Sequence, residues 1–78
     1  MKAVLVVSRD HVSQPHMDWE EPDAPLMEEA LIHTVGFLRP ESEKTDTLEL
    51  VMSYSETEIC GRWAIPKCCI VSVTELTK

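Results

Sequence analysis

The sequence predicts an all-β chain: a small antiparallel barrel of five strands with a long acidic first loop. Three observations carry that expectation. Apolar, β-branched stretches of six to nine residues recur along the chain, the connections after the first are short and polar, and no long segment repeats with helical spacing. The later connections are too short for the crossovers that a parallel sheet requires, so the strands pair antiparallel.

The C-terminal stretch Trp63-Ala64-Ile65-Pro66-Lys67-Cys68-Cys69-Ile70-Val71-Ser72-Val73-Thr74 is the longest apolar segment. Proline has no N–H for a ladder and drives the residue before it into an extended conformation. Ile65 therefore ends the fourth strand, Pro66-Lys67-Cys68 turns the chain as one 3₁₀ turn, and the fifth strand runs from Cys69 to about Thr74. Lys2 to Ser8 is the first strand, and its continuous apolarity predicts cover on both faces. From Leu31 to Leu38, Ile32, Thr34, Gly36 and Leu38 alternate with His33, Val35 and Phe37, the pattern of a strand with one packed face. Gly36 marks a bend or a close backbone approach. Pro40 to Thr45 is a polar hairpin loop, and Leu48, Leu50, Met52 and Tyr54 give the third strand a core face. Ser55 to Glu58 turns into the fourth strand, Ile59 to Ile65, where Gly61 permits bending. Phe37 and Trp63 are expected to fill the core.

Arg9 to Pro25 holds three prolines, His11, His16 and Trp19, with no regular period. It reads as one long loop, followed by a short helical turn over Pro25 to Ala30 with Asp23 as N-cap. No Lys or Arg lies between Arg9 and Arg39, whereas Asp10, Asp18, Glu20, Glu21, Asp23, Glu28 and Glu29 do. This acidic arm repels phosphate backbones and suits a basic partner, although a charge run more often serves only as a solvated face. Trp19 either folds back as a lid over the open end of the barrel or stands out as an anchor for a partner.

A chain of 78 residues is one domain, 1–78, burying only about 60–65% of its unfolded surface, which leaves no room for a large internal active site. No apolar run of membrane-spanning length and no signal peptide is present, so a cytoplasmic location is expected. The three cysteines, Cys60, Cys68 and Cys69, have no C-x-x-C spacing and read as buried, reduced thiols; on a strand, adjacent Cys68 and Cys69 would point to opposite faces. No metal site, no cofactor, no nucleophile signature and no phosphate-binding glycine loop is expected, since the chain has two glycines in all. With 14 acids against seven bases and a formal charge of −7, direct nucleic-acid binding is disfavoured.

Five short strands, a long first loop and the Ile65-Pro66-Lys67 turn followed by Ile70-Val71 resemble SH3-like and Sm-like barrels, whose last two strands are joined by such a tight turn. The first strand ending near Asp10, Trp19 nine residues on, Thr34-Val35-Gly36-Phe37-Leu38, and Ile65-Pro66-Lys67 with Cys69-Ile70-Val71 together resemble a family of small uncharacterised proteins of tailed bacteriophages and prophages. That resemblance covers most of the chain and implies a phage origin and an SH3-like barrel, with no known activity attached.

Two functions follow as expectations. In the first, the chain is a non-enzymatic interaction protein of a bacterial host cell, using Asp18, Trp19, Glu20, Glu21 and Asp23 to occupy the basic surface of a host protein, in its sharpest form a defence complex inhibited by nucleic-acid mimicry. In the second, it is an oligomeric binder of a small ligand such as a nucleotide, with Arg39, Arg62 and Lys67 as phosphate contacts. A homo-oligomer is expected because the first and last strands are apolar along nearly their whole length and a five-strand barrel leaves edges to cover.

Overall fold

The computed structural model describes residues 1–10, 13 and 19–76. Five strands form one open, antiparallel sheet: β1 (Lys2–Asp10), β2 (Ala30–Leu38), β3 (Thr47–Tyr54), β4 (Ile59–Pro66) and β5 (Ile70–Glu75), in the spatial order β4-β3-β2-β1-β5. There is no α-helix among the described residues. The edges of the sheet are β4 and β5. The expected helical turn over Pro25 to Ala30 does not form. Instead Pro22 and Asp23 make a tight turn in which the Ala24 N–H donates to the Glu21 carbonyl at 3.0 Å, and Ala30 already belongs to β2. So short a helix is marginal on its own, and this segment has no packed face to stabilise one.

β1 lies second from one edge and pairs with β2 along its full length, from Lys2↔Leu38 to Asp10↔Ala30. β1 thus extends two residues, and β2 one residue, further toward the arm than their hydrophobic runs suggested. Alternation puts Val4, Val6 and Ser8 on the buried side, while Ala3, Leu5 and Val7 on the other side are half-covered. The β2–β3 ladder is short: only Phe37↔Val51 and Leu38↔Leu50 pair. Gly36 sits where the two strands meet, and a Cβ there would stand 3.1 Å from the Leu50 Cβ and 3.2 Å from the Val51 carbonyl oxygen. The close approach expected of this glycine is present. Past it, β2 runs on with β1 alone.

The core cluster is Val4, Val6, Leu38, Leu48, Leu50 and Ile65, with Ile70 packed against it. Cross-strand register explains the membership, since residues opposite one another share a face. Leu38 faces Leu50, and Leu48 faces Ile65. A bulge between Val7 and Ser8 lets β5 place Ile70 opposite Ser8, so Ile70 turns inward while Val71 is left exposed.

Two aromatic assignments need correction. Trp63 does face inward, opposite Leu50, but β4 is an edge and the indole reaches past the core, 57% exposed. Phe37 shares the opposite side of the sheet with Val51 and packs edge-on against Tyr54, with ring centroids 5.0 Å apart. Small aliphatic side chains fill the interior instead.

The Pro40–Thr45 loop contains a 3₁₀ turn, Pro40–Lys44. Buried Ser42 anchors it, its Oγ donating to the Arg39 carbonyl at 2.7 Å and accepting the Glu49 N–H at 3.0 Å. The expected 3₁₀ turn after Pro66 spans Lys67–Cys69, where the Ile70 N–H returns to the Lys67 carbonyl. This turn connects the two edge strands. It also overturns the thiol assignment: Cys60 and Cys68 are exposed and Cys69 is half-buried, because the turn and the edge strand offer no apolar cover.

Candidate interaction surface

The β1–β2 ladder closes the base of the acidic arm. Asp10 and Ala30 are paired, so both ends of the arm leave the sheet side by side. Just outside that base, Arg9 Nε and the Glu29 carboxylate form an ion pair at 3.0 Å, with each side chain about half exposed. Such a pair contributes little stability in water.

Among the described residues of the arm, the large apolar side chains are as uncovered as the acids. Trp19 is 102% exposed and Leu26 96% exposed, and Met27 is exposed as well. The lid reading of Trp19 is therefore corrected: its indole touches none of the core, which the aliphatic residues of the sheet already fill. Glu20, Glu21 and Asp23 are exposed beside it. Asp18, the fifth residue expected in this surface, lies outside the described residues.

The second expected site is divided. Arg39 and Arg62 converge, but on a carboxylate. Arg39 Nη1 donates to Glu49 Oε1 at 3.1 Å, and Arg62 donates through Nε to Oε1 and through Nη2 to Oε2 at 3.1 Å. The hydrogen bonds from Arg62 first, and then from Arg39, hold the Glu49 carboxyl far below its ordinary value, at about 2. Glu41 approaches Arg39 from the other side at 3.8 Å. Two guanidiniums thus meet two carboxylates beside a hollow of about 210 Å³ that Ser42, Thr45 and Thr47 also line. Lys67 is not with them, its Nζ donating to the Glu43 carbonyl at 2.7 Å. Glu49 escaped the sequence reading because a glutamate alternating with leucines on a strand reads as an ordinary outward-facing residue.

A larger groove, about 580 Å³, opens between the paired ends of β1 and β2 and the end of β4, lined by Ser8, Asp10, Glu29, Ile32, Ile65 and Cys69. Around the inner face, Ile32, Met52, Trp63 and Val73 remain exposed although register places them on the side of Val6 and Leu50. Cys69, which lines the groove, holds its sulfur 3.8 Å from that of Cys68, and the hydrogen bond between them pushes the Cys69 thiol up. The 3₁₀ turn leaves the two adjacent sulfurs within reach of each other, where adjacent residues on a strand would point to opposite faces. No three His, Cys, Asp or Glu side chains among the described residues are grouped to hold a metal ion. No helix among them is long and apolar enough to cross a membrane.

No family model, curated protein or solved structure matches this chain.

Proposed function

We propose that this chain is a non-enzymatic interaction protein whose acidic arm seats apolar anchors on the basic surface of another protein. The full exposure of Trp19, within an arm that also exposes Leu26, Met27, Glu20, Glu21 and Asp23, carries the reading. A solvated face needs the acids alone. Buried aromatic anchors ringed by polar groups are what dominates binding energy at protein interfaces, and the surrounding charge steers the encounter. The partner of best fit is a bacterial host protein whose basic surface otherwise binds nucleic acid, with the chain acting as a phage inhibitor of a defence complex.

The fold is read as an SH3-like or Sm-like barrel. Supporting this, a 3₁₀ turn links the sheet's two edge strands, β4 and β5, and Gly36 lets β2 and β3 approach closely. Self-association is part of the same reading, supported by those edges and by the apolar rim of Ile32, Met52, Trp63 and Val73. The runner-up, an oligomeric binder of a small anionic ligand at Arg39, Arg62 and Lys67, is favoured by the convergence of two guanidiniums. Against it, Glu49 and Glu41 match both positive charges, and a phosphate would have to displace Glu49.

The test is capture from a bacterial host lysate, with the wild-type chain and a variant carrying Asp18→Asn, Glu20→Gln, Glu21→Gln and Asp23→Asn. The wild-type chain is expected to retain a basic protein that the variant holds weakly, with association slowed most at low salt, because steering is screened over about 8 Å at physiological ionic strength. Equal affinity and equal salt dependence would return the arm to a solvated face.

A further inference from the structure

We propose that Cys68 and Cys69 act as one dithiol site beside the 580 Å³ groove that Cys69 lines, taking a thiophilic centre that two sulfurs satisfy, of the trivalent organoarsenical class. The two sulfurs are 3.8 Å apart in the turn between β4 and β5; Cys68 is exposed and Cys69 lines the groove. Three kinds of chemistry could use such a pair.

A tetrahedral ion with metal–sulfur distances of about 2.3 Å would hold two thiolates roughly 3.8 Å apart, which matches, but it demands four ligands. No grouping of even three ligating side chains exists among the described residues. A direct disulfide requires the sulfurs to close to about 2.05 Å and works best with Cα atoms about 4.4–6.8 Å apart, whereas neighbouring Cα atoms across a trans peptide stand about 3.8 Å apart. Ring closure would therefore be strained. Bridging by one atom needs a much smaller contraction and only two protein ligands.

Trivalent arsenic bearing one organic group meets that requirement. An arsenoxide R–As=O condenses with the two thiols: two As–S bonds form, two S–H bonds and the As=O bond break, and the two protons leave with the oxygen as one water. No electrons are transferred, so no oxidant or reductant is needed. The organic group has an apolar wall to lie against, formed by Ile32, Ala64, Ile65 and Pro66.

Phenylarsine oxide is the probe, applied to the full chain with a monothiol competitor present. The expected product is a single phenylarsine per chain, after which iodoacetamide labels Cys60 only. Cys60→Ser keeps the adduct, whereas Cys68→Ser and Cys69→Ser each weaken it about 100-fold, the low end of what two-point attachment gains over one. Melting curves matching that of the unaltered chain certify that the variants are folded. An adduct that survives either of the last two substitutions with unchanged affinity overturns the proposal. So does one that requires Cys60, or alkylation of Cys68 and Cys69 undiminished by the arsenical.

Discussion

Arg62 clasps Glu49 diagonally across the β3–β4 ladder, its Nη2 3.1 Å from Oε2 while Nε donates to the other carboxylate oxygen. This two-point geometry is the strongest form of side-chain pairing available to a carboxylate. It occurs on a strand pair whose opposite face carries Leu48, Leu50 and Ile65, so the clasp and the core hold the same two strands from both sides.

The first prediction is the titration of that carboxyl. A group held below its unfolded value adds stability that is fully present above that value and disappears as the pH falls through the folded one. Glu49 moves from 4.5 to about 2, so its contribution should drain away between those two pH values. Carboxyl-carbon NMR should place the Glu49 midpoint near the lower figure, and Arg62→Gln should move it back toward the ordinary carboxylate range. A wild-type midpoint near 4.5 would show that the clasp does not persist in solution.

Core substitutions should separate by face and edge. Leu50→Ala removes a fully buried side chain and should cost about 2–5 kcal/mol in urea unfolding. Trp63→Ala, on an edge strand with more than half its surface in water, should cost about 1–2 kcal/mol. The reverse ranking would mean that the indole, not the leucine, fills the interior.

Gly61 adopts a φ of +69°, and a Cβ there would fall 2.6 Å from the Met52 Cβ. Gly61→Ala therefore meets both an unfavourable backbone region and a clash with a neighbouring strand. Roughly 1–3 kcal/mol of destabilisation is expected by chemical denaturation, the usual range for a strained backbone position. An alanine variant as stable as the parent chain would place this residue in ordinary extended backbone.

With Trp63→Phe, Trp19 becomes the chain's single tryptophan. Its fluorescence should be that of a solvated indole, freely quenched by acrylamide, and Trp19→Ala should alter stability by no more than about 0.5 kcal/mol. Blue-shifted, protected emission from the free chain would restore the lid.

Self-association through the uncovered rim predicts a solution mass above the 8.9 kDa of one chain, falling toward it in Trp63→Glu or Val73→Lys. Both side chains sit on the sheet's edge strands, so the substitutions charge the rim and leave the buried cluster in place. Sedimentation that gives a monomer at every concentration removes the claim.

Strand positions, antiparallel pairing and the 3₁₀ turn after Pro66 were legible in the sequence because they depend on local chemistry: a continuous apolar run over Lys2 to Ser8, alternation over Leu48 to Tyr54, and a proline that cannot donate to a ladder. The excess of acids between Arg9 and Arg39 was legible for the same reason, since charge is read residue by residue. Sequence could not say which apolar residues would be covered. Burial depends on which strands become neighbours, and the order β4-β3-β2-β1-β5 leaves Trp63 on an edge while Leu50 stands on the interior strand β3. The meeting of Arg39 and Arg62 on Glu49, residues ten and 13 positions away from it, and the alignment of Cys68 with Cys69 were likewise decided only in three dimensions. The first follows from cross-strand register, the second from the turn that replaces strand alternation after Pro66, and neither leaves a periodic signal along the chain.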